Sequence, residues 1–318
     1  MKKGILLCNL GTPDAPTTKA VRRYLAEFLW DRRVVEIPRI LWWFVLNLFI
    51  LNFRPKKSAA LYQKVWTKDG SPLLVGMQSL GLKLAKKINT PVEIAMRYGH
   101  PNTEKSLKSL EDQGCQDIIV LALYPQYSAT TTASSFDAVF SHMQQTREMP
   151  SLRFIKDYHT HPAYIEALAQ QVQQHWQTRG QAEILMMSFH GIPQSYIEAG
   201  DPYEAQCQQT AKKLSQALKL QNNQWVCSFQ SRLGTQPWLQ PYTDEVLTTL
   251  AEQGTKMVDV ICPGFSIDCL ETIDEIAREG AETFCSAGGS ELRYIPALND
   301  QDSHVALIDK VLQSEGGF

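Results

Sequence analysis

An α/β protein made of two doubly wound units is what this sequence predicts, and three observations carry the prediction. Short aliphatic and β-branched runs alternate with helical stretches along the whole chain. Most of these runs are continuous rather than alternating, which suits strands buried on both faces of a parallel sheet. One motif also occurs twice, a strand end followed by Pro, any residue, an aromatic and Ser: Leu123-Tyr124-Pro125-Gln126-Tyr127-Ser128 and Ile261-Cys262-Pro263-Gly264-Phe265-Ser266. The two prolines are 138 residues apart, the runs starting at Val92 and Trp225 are 133 apart, and those at Leu152 and Leu292 are 140 apart. Similar offsets imply two four-stranded units in tandem, each Rossmann-like and flanked by helices.

The strands expected are Ile5–Leu10, Val92–Arg97, Ile118–Tyr124, Leu152–Tyr158, Ile184–Phe189, Trp225–Phe229, Met257–Cys262 and Leu292–Ile295. Helices are expected at Thr17–Leu29, Leu73–Lys87, Thr103–Gln113, Pro162–Thr178, Tyr203–Leu218, Tyr242–Gln253 and Asp268–Gly280. Met149-Pro150-Ser151 reads as the boundary. This gives a first domain over 1–150, a second over 151–300, and a tail over 301–318. The amphipathic part of the tail, Asp302–Leu312, is expected to pack back on one of the two, the first being a candidate.

Composition narrows the function. With 318 residues, 44% hydrophobic and 20% charged, the chain can bury about three quarters of its unfolded surface. Its 31 Lys+Arg against 33 Asp+Glu leave no cationic excess for nucleic acid. Seven scattered cysteines without a CxxC pair suggest free thiols in a reducing compartment. The apolar start at Ile5 is too short for a signal-peptide core and reads as a first strand.

One segment departs from the soluble pattern. From Ile40 to Leu51, twelve residues contain a single polar member, Asn47. That is too short to span a bilayer, which takes about 20 residues. Arg32, Arg33, Arg39, Arg54, Lys56 and Lys57 flank it. Either it is a buried core helix, or it is a lip that dips into a membrane or covers an apolar ligand.

Doubly wound sheets bind ligands beyond the carboxyl ends of their strands. No GxxxxGK[ST] occurs, and Asn9-Leu10-Gly11-Thr12-Pro13 follows the first strand in place of GxGxxG. The phosphate-binding chemistry of nucleotide folds is therefore absent. His190, in Ser188-Phe189-His190-Gly191-Ile192-Pro193, ends an apolar strand. It is either a base or metal ligand, or a strand-end histidine that caps backbone groups. Asp268, Glu271, Glu275 and Glu279 follow at spacings that share a helix face. Such a row is either a solvated face with Asp268 as cap, or a path for a divalent cation or protons leaving an apolar pocket. His159 and His161 read as loop surface rather than a metal site. Tyr124, Tyr127 and Trp238 could wall a flat apolar ligand or fill core volume. Arg97 and Tyr98 end a strand, and Arg54 and Lys57, which follow the apolar segment, suit carboxylates at a rim.

At these residues the sequence resembles the ferrochelatases, most closely those of Gram-negative bacteria. The resemblance runs through GILLCNLGTPDAPT, FLWDRRVVEIPR, GSPL, MRYGHP, LYPQYSATT, SFHGIPQSYIEAGDPY, FQSRLGTQPWLQPYTDE and CPGFSIDCLETIDEI, essentially the whole chain. It implies a chelatase-like fold with a porphyrin cleft between the two domains. It further implies a lyase of haem synthesis that inserts Fe²⁺ into protoporphyrin IX and releases two protons. His190 and Glu271 match the catalytic positions and would meet the Fe²⁺ substrate, while Asp268 and Glu275 match a metal or proton path. Leu10, Arg97, Tyr98, Tyr124 and Trp238 match positions around the porphyrin, and Arg54, Lys57 and Ser71 positions near its propionates. The apolar stretch over 37–53 matches a lip facing the membrane, which favours the lip reading. The implied partners are protoporphyrin IX, Fe²⁺, the membrane surface through Ile40–Leu51 and other enzymes of the haem pathway. The implied location is cytoplasmic, at the inner membrane. No resident cofactor is expected: the last cysteine is Cys285, and Ala129 stands where animal members place a cluster cysteine, so no [2Fe–2S] cluster and no C-terminal membrane anchor are expected. Coproporphyrin is the alternative substrate, and a non-catalytic porphyrin carrier is the alternative of a different class.

Overall fold

All eight apolar runs become strands in the computed structural model, which describes every residue of the chain except 233 and 235. Two compact units result, one of Met1–Asp157 with Ile308–Phe318 and one of Tyr158–Leu307.

In the first unit β1 (Lys3–Thr12), β2 (Val92–Gly99), β3 (Asp117–Ala122) and β4 (Ser151–Ile155) form a parallel sheet in the order β2-β1-β3-β4. The strands of the second unit are β5 (Ile184–His190), β6 (Trp225–Gln230), β7 (Met257–Ile261) and β8 (Glu291–Ile295). They repeat that order as β6-β5-β7-β8. The central strands are apolar on both faces because helices cover both. Ile5, Leu6 and Leu7 in β1, and Met186 and Met187 in β5, have no exposed surface.

Around the first sheet lie α1 (Thr18–Trp30), α2 (Arg39–Phe44), α3 (Leu51–Val65), α4 (Pro72–Ile88), α5 (Thr103–Asp112) and α6 (Ser134–Met143). The Thr17 hydroxyl accepts the Ala20 amide and caps α1. A π-helical segment, Val45–Ile50, joins α2 to α3, so the apolar stretch lies in one continuous helical run. Pro55 sits inside α3 and offers no N–H to the Leu51 carbonyl one turn earlier. Arg22 of α1 supplies the missing donor to that carbonyl at 2.9 Å. A second π-helical segment, Ala129–Ala133, leads into α6.

The second unit carries α7 (Pro162–Arg179), α8 (Gln194–Glu198), α9 (Tyr203–Ala217), α10 (Thr243–Glu252) and α11 (Ala281–Ser286). A third π-helical segment, Glu271–Gly280, leads into α11. The last helix, α12 (Asp302–Ser314), begins in the second unit and ends in the first.

Two boundaries differ from the sequence reading. The break between the units falls after Asp157, not at 150/151, because β4 pairs with β3 and so belongs to the first sheet. Pro150 directly precedes a strand rather than a linker. The tail is divided as well. Residues 302–307 belong to the second unit, while Ile308–Phe318 belong to the first, where Arg153 Nη1 donates to the Gly316 and Gly317 carbonyls at 2.7 and 2.8 Å.

Candidate active site

In the second unit the candidate residues gather past the carboxyl ends of β5, β6 and β7. His190 is the last residue of β5, opposite Gln230 of β6. Its Nδ1 lies 2.6 Å from the Gly191 carbonyl. A carbonyl only accepts, so Nδ1 carries the proton and the neutral ring keeps its lone pair on Nε2. Gly191 also lets Trp238 pack beside the strand end. A Cβ there would lie 3.4 Å from the Trp238 ring and 3.0 Å from the Gln230 carbonyl. The loop carrying Trp238 is pinned by Leu239 N–H to the Ile192 carbonyl and Gln194 N–H to the Pro237 carbonyl, both at 3.0 Å.

The acidic row starts in the third π-helical segment. Glu271 and Glu275 are half-buried and Glu279 is exposed, so the row runs from the interior to the surface. Burial raises the Glu275 carboxyl above its ordinary 4.5. The Ser231 hydroxyl, donating at 2.5 Å, and His190 whenever its ring is protonated pull it down, while the charge of Glu271 pushes it up. Ser231 holds φ at +69°, a conformation costly for a residue with a Cβ, and that turn aims its hydroxyl at Glu275. The Gln230 amide fixes the other end of the row by donating to the Glu271 carbonyl at 3.0 Å. The Gln230 oxygen is held in turn by Ser188 at 2.8 Å.

Asp268 stands apart from this row. The helix starts after it, and its oxygens accept from Tyr294 at 2.5 Å, Asn299 at 2.7 Å, Thr272 at 2.9 Å and the Ala297 amide at 3.3 Å. The helix is capped at Leu270 with no side-chain cap bond, so Asp268 is not its cap; these partners tie the segment before the helix to Thr272 and to Tyr294, Ala297 and Asn299. His161 caps α7, its Nδ1 accepting the Ala163 amide at 3.2 Å.

In the first unit the candidates again lie at strand carboxyl ends: Leu10 near the end of β1, Arg97 and Tyr98 in β2, and Tyr124 just past β3. Gly11, at φ +109°, allows the close approach of β1 to β2, since a Cβ there would lie 1.8 Å from the Tyr98 carbonyl. Arg97 and Tyr98 are consecutive in β2, yet both side chains reach Asp31 and Ser134. The Arg97 side chain keeps 23% exposure, whereas Tyr98 is buried to 1%. The guanidinium lies 4.7 Å from the Tyr98 ring centre. Tyr98 thus lies buried against the Arg97 guanidinium. Burial, and next the charge of Asp31, push the Tyr98 phenol far up, so it stays a donor. Ser71 is buried at the N-cap of α4. Arg54 and Lys57 lie on α3, half-buried and exposed respectively.

The apolar stretch divides by face. Trp42 and Leu46 are buried, and the Trp42 indole N–H reaches the Leu29 carbonyl at 2.6 Å. Ile40, Leu41, Trp43, Phe44, Leu48, Phe49 and Phe53 are exposed, Ile40 to 80% and Phe53 to 71%. A core helix would not leave such a face in water. Among the described residues no helix is long and apolar enough to cross a membrane.

Reading the sequence did not single out Asp31, Ser134, Gln230 or Ser231. Gln230 and Ser231 carried a usable signal, since they end β6 at the edge where such folds bind ligands. Asp31 carried none, because its partners lie 66 and 67 residues away.

Two parallel four-stranded sheets flanked by helices, with candidate groups past their strand ends, make this a Rossmann-like α/β protein of the fold that solved chelatases share. Solved structures share the fold: SirB from Bacillus subtilis with Fe³⁺ (TM-score 0.59, 13% identity, 100% of this chain and 97% of that one). CbiX, the terminal enzyme of sirohaem synthesis in denitrifying bacteria, does so too (TM-score 0.53, 12% identity, 98% of each chain). The chain belongs to the ferrochelatase family, whose model, described as Ferrochelatase, matches residues 2–315. It is 51% identical to the ferrochelatase of Thioalkalivibrio sulfidiphilus over 99% of this chain and 87% of that protein. It is 52% identical to ferrochelatase 1 of Shewanella oneidensis over 98% and 95%.

Proposed function

We propose that the chain inserts Fe²⁺ into protoporphyrin IX, with His190 as the group that takes the pyrrole protons and Glu271 and Glu275 as the carboxylates that serve it. The reaction class is that of the family, a lyase that places ferrous iron in a porphyrin during haem synthesis. Metallation replaces two N–H protons by one Fe²⁺, so a base must accept protons where the metal arrives. The observation that carries the assignment is the His190 tautomer: Nδ1 is spent on the Gly191 carbonyl, and Nε2 keeps its lone pair. Once Nε2 is protonated, the imidazolium lowers the pKa of Glu275, which favours passing a proton on from Glu275 toward exposed Glu279. Glu271, at the inner end of the row, is suited to meet the hydrated Fe²⁺ substrate as it sheds water.

Porphyrin binding falls to Arg97, supported by Tyr98, with Leu10, Tyr124 and Trp238 as apolar and aromatic contacts and Arg54, Lys57 and Ser71 toward the propionates. The exposed face over Ile40–Phe53, bordered by Arg39, Lys56 and Lys57, is proposed to dock on an anionic membrane surface, placing the protein on the cytoplasmic side of the inner membrane. No iron–sulfur cluster takes part in this reading, and the five buried thiols act as packing groups. Iron and acid-labile sulfide in the purified protein would contradict that part.

The test is anaerobic mixing of the protein with Fe²⁺ and either protoporphyrin IX or coproporphyrin, followed by absorbance. Metallation should exceed the protein-free control and run faster with protoporphyrin. No excess over the control would leave only a carrier, and a faster coproporphyrin reaction would overturn the substrate.

A further inference from the structure

We propose that Asp31 is a positioning residue for the porphyrin, acting through Arg97; this deepens the porphyrin-binding reading of Arg97 and rests on it. Asp31 follows the last residue of α1, and its side chain is only 6% exposed. One oxygen, Oδ2, accepts from three groups: Arg97 Nη2 at 2.5 Å, Ser134 Oγ at 2.5 Å and the Tyr98 hydroxyl at 2.9 Å. The other, Oδ1, accepts the Arg33 amide at 2.7 Å. Ser134 closes the arrangement by accepting Arg97 Nε at 2.7 Å. Burial opposes a charge on Asp31, but Ser134, the Arg33 amide, Arg97 and Tyr98 outweigh it and hold the carboxyl below its ordinary value of 3.8.

This geometry does more than neutralise a charge. An arginine side chain has several rotatable bonds, and a strand-end arginine in water samples many orientations. With Nε on Ser134, Nη2 on Asp31 and its plane against Tyr98, the guanidinium is fixed before any ligand arrives. A ligand anion or ring edge then meets a preorganised cation and avoids that ordering cost on binding. The helix bearing Asp31 is held to the same strand end twice more. Glu27 accepts the Gly99 amide at 2.9 Å, and the Phe28 ring lies 5.2 Å from that of Tyr98. Asp31 also starts the connection to the apolar helix, its carbonyl accepting the Val34 and Val35 amides at 3.2 and 3.0 Å. The same residue thus orients Arg97 and sets the base of the exposed apolar face.

The test compares steady-state metallation by the full chain, by Asp31→Asn, by Arg97→Leu and by the double variant, varying porphyrin and Fe²⁺ separately. Asp31→Asn should raise the porphyrin KM roughly tenfold, the loss expected when a charged acceptor is removed, and leave the Fe²⁺ KM within about twofold. In the Arg97→Leu background the same substitution should add little, since its target is gone. Ser134→Ala, a smaller change, should give a loss in the same direction and preserves the test if Asp31→Asn folds poorly. An unchanged porphyrin KM in both Asp31→Asn and Ser134→Ala overturns the proposal, as do losses that add fully in the double variant. If Arg97→Leu alone leaves the porphyrin KM unchanged, the porphyrin-binding reading fails first and the role of Asp31 falls with it.

Discussion

The two units share a scaffold and divide at the strand ends. Their sheets have the same strand order, and the same acid–base pair recurs at the opposite edge of each. Asp117 of β3 holds Arg153 of β4, and Asp259 of β7 holds Arg293 of β8. Each arginine then donates to carbonyls at the end of a helical stretch: Arg153 to Gly316 and Gly317, Arg293 to Arg179 and Gly180. At the carboxyl ends the units part. The first presents a fixed arginine on a buried carboxylate, and the second an imidazole beside a row of carboxylates. The connection from the first to the second strand is also more than twice as long in the first unit, from Pro13 to Pro91 against Gly191 to Gln224, and it holds the apolar helix. One end of the sheet builds the fold, and the other end is free to differ.

The sharpest way to break this comparison is at the strand ends. His190→Ala should lower the metallation rate about a thousandfold, the scale of a lost general base. A circular dichroism spectrum should remain that of the folded protein. Near-normal turnover would remove His190 from the chemistry.

The shared scaffold is tested by its two acid–base pairs. Arg293 and Asp259 are almost wholly buried, so Arg293→Met leaves the Asp259 carboxylate with His175, Trp176 and the Ala182 amide as its remaining partners and should cost about 3 kcal/mol in urea unfolding. Arg153 is 38% exposed, and Arg153→Met should cost about 1 kcal/mol or less. Equal costs would mean that the two pairs are not unequal copies of one device.

A buried histidine gives the second unit its own pH response. His304 is fully buried, its Nε2 has no partner, and its Nδ1 donates to the Asn299 carbonyl at 2.5 Å. Burial lowers its pKa from 6.5 to about 4. Between those values the unfolded chain binds the proton more readily than the fold does. This contribution is therefore complete above pH 6.5 and is lost as the pH falls toward 4. It amounts to about 3 kcal/mol at the acid end. Urea unfolding across that range should show the slope, and His304→Asn should flatten it.

The smallest effect on stability belongs to the apolar helix of the first unit. Trp43→Ser, Phe44→Ser and Phe49→Ser together should abolish sedimentation with anionic vesicles and shift the thermal midpoint by only a few degrees. Trp42→Ser should do the reverse, because that indole is buried and bonded to Leu29. Vesicle binding that survives the triple change would remove the membrane role.

What could be read from the sequence follows the same division. All eight strands were legible because continuous apolar runs mark doubly covered strands, and His190 because it ends one of them. The π-helical segments were not, since a shift of the backbone hydrogen bonds to the fifth residue leaves no mark in the residue types. Asp268 lies before the helix, bonded to Tyr294, Asn299 and Thr272, and so anchors that segment rather than joining the row. The domain boundary was misplaced because Pro150 resembles a linker, while pairing with β3 decides where Leu152 belongs. Tyr98 was read as lining, and only the packing of α1 against β2 shows that it is buried.

The proposal turns on a division of labour in which His190 supplies the chemistry and Arg97 holds the porphyrin. The most direct test measures porphyrin affinity and single-turnover metallation rate side by side for His190→Ala and Arg97→Leu. The account predicts that His190→Ala binds porphyrin normally and fails to metallate, while Arg97→Leu binds weakly and metallates what it binds. A His190→Ala protein that loses porphyrin affinity yet keeps the wild-type rate would contradict it.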